Sequence, residues 1–374
     1  MVGGGQGAFI GAVHRAAAAL DGLYDLQCAA LSSDPGRARE SALGLGLTDR
    51  GYSGWREMLD RERSLPPERR VEAVSIVTPN HTHHEIARAF IDAGFHVLID
   101  KPMTTTVEQA CDLAAAAERA GVVAAVTYNY SGYPMVRQAA EMVRAGAVGA
   151  VRRVYVEHHQ GWLATKLEAA GQKQATWRTD PSCAGAGAIG DIGTHAEHLL
   201  RFVTGLEIEA VCADVNTFVP GRRVDDDAAA LLRLTGGARA ALTISQVCVG
   251  EQNNLNIRIH GELGSIEWRQ ESPDFLEFRR LDGLRQTLTR GMPSLGVAAA
   301  AATRLPTGHP EGFIEAFANI YKDVAFAVLA CRTGARHDMH RSTFPTALDG
   351  LRGVRFVERV QAAARSGVWT AWND

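Results

Sequence analysis

The sequence lacks the spacings that cysteine frameworks need. Its six cysteines, Cys28, Cys111, Cys183, Cys212, Cys248 and Cys331, are scattered with no CxxC or CxxH pair, which speaks against a zinc ribbon or a disulfide scaffold and for reduced thiols in a cytoplasm. A basic tract is also missing. The chain sets 39 Lys and Arg against 42 Asp and Glu, a formal net charge of −3, so nothing draws a nucleic acid. No apolar run approaches the roughly 18 residues of a membrane-spanning helix, and no charged start followed by an apolar block marks a signal peptide. The expectation is a soluble cytoplasmic protein with neither a nucleic-acid nor a membrane partner.

Glycine is what the chain has in quantity, 38 residues among 374, and that length suits about two domains. From Gly3 to about Tyr128 short β-type runs alternate with amphipathic helical stretches. Helices are expected at Phe9 to Leu20, His83 to Ala93 and Val107 to Ala120. Strands are expected at Leu26 to Ser33, Val71 to Asn80, Phe95 to Asp100 and Val122 to Tyr128. Such alternation predicts a parallel sheet with helices on both faces, a Rossmann domain over residues 1–128. Beyond it, closely spaced strands with a turn at Gly236 and Gly237 predict a large, mainly antiparallel sheet in an α+β domain over 129–374, closed by helices near Glu311 to Ala330 and Thr346 to Ala364. The class is α/β followed by α+β.

GGGQGAFIGAVH opens the chain. It reads as G-x-G-x-x-A through Gly3, Gly5 and Ala8, or as a longer loop whose last small residue is Gly11. Either reading lets backbone N–H groups and a helix start face a pyrophosphate, with Gln6, Phe9 and Ile10 beside it. An acidic residue for the adenosine ribose belongs at the end of the second strand, where ALSSDPGRAR places Ser32, Ser33, Asp34 and Arg37. A missing carboxylate with a nearby arginine tolerates a 2′-phosphate, Asp34 could reach a free ribose hydroxyl, and SSDP also reads as a plain helix cap. The cofactor is therefore NAD or NADP. A buried strand of about five residues normally feeds such a turn, yet only Met1 and Val2 precede Gly3. Further apolar residues upstream of Met1 are expected in the functional polypeptide.

Three later segments add chemistry. TPNHTHHEIA sets Thr78, Asn80 and His83 after one strand, and IDKPMTTT sets Asp100 and Lys101 after the next, at the strand ends where ligands bind in such sheets. GAGAIGDIGTHAEHLL puts Asp191 and His195 at i and i+4 near a helix start, a carboxylate one turn from an imidazole. With the glycine turn, these segments make the chain resemble the Gfo/Idh/MocA family of NAD(P)-dependent oxidoreductases over essentially its whole length, with DKP for the usual EKP. That resemblance implies hydride transfer at a secondary carbinol of a sugar or cyclitol. It also implies an open C-terminal sheet that forms contacts in a homo-oligomer, a dimer or tetramer. By the same resemblance Lys101 hydrogen-bonds the reacting oxygen, His195 exchanges its proton, and Asp191 orients the imidazole or binds a substrate hydroxyl.

The chain also departs from the family pattern, with His198 where an aspartate often stands and Tyr130 where many relatives carry arginine. Asp191, His195 and His198 share ligand-like spacing, but hydride chemistry needs no metal and none is expected. Candidates for a sugar pocket are Tyr128, Asn129, Tyr130, His159, Trp162, Trp177 and His309, with Gln160 and Arg178 beside them. Asp225, Asp226 and Asp227 read as a solvated run between strands. The function expected is a sugar, glycoside or cyclitol dehydrogenase. The alternatives are a cofactor-recycling glycosidase or epimerase with the same residues, or a non-catalytic dinucleotide-binding sensor.

Overall fold

The computed structural model describes residues 1–372; Asn373 and Asp374, the end of the expected second domain, lie outside the described residues. Two compact units divide the chain, one of Met1–Tyr128 with Phe317–Arg352, the other of Asn129–Ala316 with Gly353–Asp374.

The first unit is built on a parallel sheet of strands β1 (Val2–Gly3), β2 (Ala73–Val77), β3 (His96–Ile99) and β4 (Ala124–Val126), in that spatial order. Helix α1 (Phe9–Leu20) follows the glycine loop, and α2 (Pro35–Leu43), α3 (Trp55–Ser64), α4 (His83–Asp92) and α5 (Val107–Ala120) complete the crossovers. Local chemistry sets the ends. Thr106 caps α5 by accepting from the Gln109 amide, and Gly121 closes it at φ 66°, a left-handed conformation that favours glycine.

Leu26 to Ser33 does not form the expected strand. It contributes single parallel bridges, Ala30 to Val2 and Ala29 to Gly51, because its neighbours on either side are too short to extend a ladder. Helix α3 was not legible either: WREMLDRERS buries only Met58 and Glu62, too little for an apolar period.

Residues 317–352, assigned by sequence order to the second domain, pack with the first unit. The Val126 amide donates to the Pro345 carbonyl at 2.9 Å, and Ala125 bridges Thr346. Tyr321 meets His14 Nδ1 at 2.8 Å and donates to Ser75 Oγ at 3.0 Å. Such pairings lie hundreds of residues apart, beyond the reach of local pattern.

Among the described residues the second unit carries nine strands: β5 (Val151–His159), β6 (Ile208–Asn216), β7 (Asp227–Leu234), β8 (Arg239–Ser245), β9 (Asn254–Gly261), β10 (Gly264–Arg269), β11 (Phe275–Arg280), β12 (Arg285–Thr289) and β13 (Thr370–Ala371). Their order is β12-β11-β10-β9-β5-β8-β7-β6-β13, antiparallel except for the central parallel pair β5 and β8. One face is buried under the helices Pro134–Arg144 and Thr194–Thr204 in a core that includes Val154, Val156, Leu199, Leu242, Ile257 and Trp268. Burial of β7 alternates strictly from Ala228 to Leu234, as a half-buried strand requires. Among the described residues no helix is long and apolar enough to cross a membrane.

Candidate functional site

In the first unit the glycines are held to their places by contact. A Cβ on Gly5 would lie 2.6 Å from the Leu31 carbonyl oxygen, and one on Gly3 would lie 2.8 Å from both Thr78 Cγ2 and the Val77 carbonyl oxygen. A Cβ on Gly11 would run into the Gly4 carbonyl oxygen. The last small residue of the turn is therefore Gly11, and α1 packs directly on the loop. Ala8 gives the helix no side-chain cap, and its first turn carries no acidic residue, so the open amides and the dipole favour an anion there. Phe9 is 68 % exposed, Gln6 is exposed with its amide on Ser41 Oγ at 3.3 Å, and Ile10 packs on the small cluster of Met1, Ala29 and Leu31.

The same contacts bring together the ends of three sequence motifs: Gly3 lies against Thr78, and Gly5 lies against Leu31, the neighbour of Ser32. Ser33 and Arg37 are exposed. Asp34 is a helix cap: its Oδ1 accepts from the Arg37 amide at 2.8 Å, and its own amide donates to Ser32 Oγ.

His83 is not a cofactor-facing group. It is fully buried, with Nε2 2.7 Å from the Thr78 carbonyl oxygen and Nδ1 3.0 Å from that of Pro102. Burial disfavours the imidazolium, so the neutral ring donates its single N–H to one of these carbonyls while it packs between the TPN turn and the DKP turn. Asp100 likewise serves its own turn, with Oδ1 accepting from the Lys101 amide at 2.9 Å and from Thr127 Oγ1 at 3.0 Å. Lys101 is half-buried and Asn80 buried. Tyr128, buried, ends this part of the unit.

In the second unit the D-x-x-x-H segment does not form a plain helix. Ile189–Gly193 is a π-helical turn, and the α-helix begins at Thr194, so Asp191 and His195 are not related by simple α-helical spacing. Such turns recur at functional sites. His195 packs edge-on against Tyr130 with ring centroids 4.7 Å apart, and His158 lies 6.2 Å from His195. Asp191 Oδ2 accepts from Gln246 Nε2 at 2.9 Å and faces Arg178 Nε at 3.4 Å. Arg178 in turn stacks on Trp177 at 4.3 Å.

A side-chain network continues from there. Gln246 donates to Gln160 Oε1 at 3.3 Å, which also accepts from Trp162 Nε1 at 2.9 Å. Gln160 donates to Asn253 Oδ1, and Asn253 donates to the Tyr130 hydroxyl at 3.0 Å. The structure thus joins Tyr130, Trp162, Trp177, Asp191 and His195, all expected, through Gln246 and Asn253, which the sequence did not single out. Asn129 is buried at the start of this unit with no partner for its Nδ2.

Two expected residues lie elsewhere. Successive strand residues face opposite sides: His158 turns to the cluster, bonding the Ile192 carbonyl and Asn253 Oδ1, whereas His159 bonds Thr243 Oγ1. His158, rather than His159, lies in the cluster around His195. His309 is exposed in a turn ahead of the helix Phe313–Arg332; its backbone carbonyl accepts from Arg290 and its amide donates to the Pro306 carbonyl. Nor are the three aspartates a solvated run. Asp225 and Asp226 are buried, at 9 % and 0 % exposure, and burial pushes the Asp225 carboxyl above its ordinary range.

Comparison with known proteins agrees with both halves of this picture. Residues 1–128 match the oxidoreductase family with an NAD-binding Rossmann fold, and residues 136–267 match the GFO/IDH/MocA C-terminal domain. An inositol dehydrogenase homolog of Azotobacter vinelandii, solved with NAD+, superposes with a TM-score of 0.94 at 37 % identity, covering 99 % of this chain and 96 % of that one. The same protein solved with NADH and myo-inositol gives 0.92. An uncharacterized oxidoreductase, YfiI, of Bacillus subtilis is 34 % identical over 99 % of this chain and 95 % of its own length. Levoglucosan dehydrogenase of Pseudarthrobacter phenanthrenivorans is 29 % identical over 74 % of each chain.

Proposed function

Since the chain belongs to the Gfo/Idh/MocA family of NAD-binding oxidoreductases, we propose that it oxidises one secondary ring hydroxyl of a neutral sugar, glycoside or cyclitol to the ketone. The observation that carries this reading is the network around the π-turn, where His195 and Asp191 lie among amide, hydroxyl and indole groups suited to a ring bearing several hydroxyls. The likeness to a levoglucosan dehydrogenase and to an inositol dehydrogenase homolog solved with myo-inositol supports the same substrate class.

The open start of α1 and the glycines Gly3, Gly5 and Gly11 hold the dinucleotide, whose nicotinamide, when bound, accepts the hydride from the carbinol carbon. Lys101 donates a hydrogen bond to the reacting oxygen. His195 takes the hydroxyl proton as the carbon–oxygen double bond forms, and Asp191 stabilises the imidazolium. Arg178 and Gln246 hold the Asp191 carboxylate in its orientation.

Asp34, at the start of α2, uses one carboxylate oxygen to cap that helix; this segment admits NAD and NADP alike. The protein works as a homo-oligomer in the cytoplasm, with exposed apolar side chains such as Tyr155, Leu231 and Phe275 on the large sheet supporting the former and six free thiols the latter.

A screen of NAD+ and NADP+ reduction against pyranoses, anhydrosugars and cyclitols tests the reading. Net reduction by at least one neutral polyol is expected. Consumption of a glycoside or epimerisation of a sugar without accumulation of reduced cofactor would replace it with the recycling reaction.

A further inference from the structure

The two buried aspartates that end the Arg222–Asp226 segment reach in different directions. Asp225 grips the catalytic turn: Oδ1 accepts from the Gly187 amide at 2.8 Å and Oδ2 from the Ile189 amide at 2.7 Å, while its carbonyl accepts from the Ala188 amide at 2.9 Å. The approach is so close that a Cβ on Gly187 would collide with the Asp225 carbonyl oxygen. Gly187 then passes the constraint on, because its carbonyl accepts from the Asp191 amide at 2.9 Å.

Asp226 takes the other side. Its carboxylate accepts from the Phe218 and Val219 amides at 2.8 and 3.0 Å and from Arg222 Nη1 at 3.1 Å. Arg222, with no exposed side-chain surface, reaches into the long excursion between β5 and the π-turn. It donates to the Leu163 carbonyl at 2.9 Å, to the Thr165 carbonyl at 3.1 Å and to both oxygens of Glu168 at 3.0 and 3.2 Å. That excursion carries Trp162, Trp177 and Arg178. The Asp226 carbonyl also accepts from the backbone amide of Gln246 at 2.9 Å, the residue whose side chain holds Asp191.

We propose that Arg222, Asp225 and Asp226 form the positioning frame of the substrate site, with Asp225 fixing the proton-transfer turn and the Arg222–Asp226 pair fixing the segment that shapes substrate recognition. This deepens the dehydrogenase reading and rests on it for the roles of Asp191, His195 and Trp162. None of the three need touch substrate; each acts through the backbone it holds. Two adjacent carboxylates serving two segments make the effects separable. Breaking a buried hydrogen bond to a charged group is costly, so losing one grip frees one segment and leaves the other held.

Hydrogen exchange on the full-length protein tests the frame without any substrate. Asp225→Asn is expected to speed exchange in peptides covering 186–194 by about tenfold or more, leaving 161–172 near wild type, and Arg222→Gln is expected to do the reverse. Gly187→Ala and Glu168→Gln strike the same two contacts from the opposite side and keep the test open if either first variant folds poorly. With the best polyol substrate, Asp225→Asn should lower kcat at nearly constant substrate KM. Arg222→Gln should raise KM at nearly constant kcat, with dinucleotide affinity unchanged in both. Loosening of both segments in each variant, or parallel losses in kcat and KM, would overturn the frame. Segment-specific exchange in a protein that oxidises no polyol would support the frame and count against the dehydrogenase reading alone.

Discussion

At the level of single residues the account assigns the reaction to two side chains and the cofactor's seat to one missing Cβ. His195→Ala and Lys101→Ala should each lower kcat by about two to four orders of magnitude, the usual worth of a positioned acid or base, with dinucleotide affinity little changed. Steady-state kinetics beside cofactor titration check this, and near wild-type turnover in either variant contradicts the assignment. Gly11→Ala places a methyl against the Gly4 carbonyl oxygen. The loop or helix must shift, so NAD(H) binding should weaken by about tenfold or more, read by fluorescence titration.

Residue identity and spacing alone picked out side chains that the fold brings together. Asp191 and His195 stand out as a carboxylate and an imidazole close in sequence, and Tyr130, Trp162 and Trp177 as residue types suited to a sugar pocket. Gln246 and Asn253 did not, because an amide in a β-rich segment has no pattern; only the chain's return brings them to Asp191 and Tyr130. His158 and His159 show the finer limit. Only His159 stood out as a sugar ligand, and strand register turns its neighbour His158 to the cluster instead.

Elements were legible where the apolar period was clear. Phe9–Leu20 and Val107–Ala120 have the bounds that their patterns give. Elements failed where tertiary contact replaces local pattern. Leu26 to Ser33 is apolar enough for a strand but finds no ladder. RQTLT, which forms β12 at one edge of the large sheet, has no buried residue to mark it. Three consecutive aspartates look solvated until backbone amides and Arg222 are seen to surround two of them.

The start of α2 gives a prediction at this scale. Asp34 caps the helix, so Asp34→Ala should cost about 1 kcal/mol of stability without moving the ratio of NAD to NADP efficiencies. Ser32→Asp, by contrast, should move that ratio towards NAD by repelling a 2′-phosphate. A ratio that follows Asp34 and ignores Ser32 would place the ribose against the cap instead.

Across the whole molecule, buried histidines tie stability to pH. His14 is buried with Nδ1 on the Tyr321 hydroxyl and no partner at Nε2, and burial lowers its pKa from 6.5 to about 4. Burial likewise lowers the pKa of His83, His96 and His337. Between these values the unfolded chain binds the proton and the folded chain does not. Stability is therefore complete above about pH 6.5 and falls as pH drops towards 4, with His14 alone contributing up to about 3 kcal/mol. Thermal melts from pH 4.5 to 7.5 check it: His14→Gln should flatten the acid limb by close to one proton, and an unchanged slope would mean that His14 is charged in the fold. His14 also explains why the first unit reaches so far along the chain. Its partner Tyr321 lies in the segment 317–352, a pairing of which no stretch of local sequence gives notice.

The account as a whole depends on a hydride leaving a ring carbon of a neutral polyol. Ring-deuterated cyclitols, anhydrosugars and pyranosides incubated with the enzyme and oxidised dinucleotide test that directly, with mass spectrometry of the recovered cofactor. The account predicts that at least one transfers deuterium to the nicotinamide with matching accumulation of reduced cofactor and of a ring ketone, and that His195→Ala abolishes the transfer. Absence of deuterium in the cofactor across the panel, or its appearance without net reduction, would contradict it.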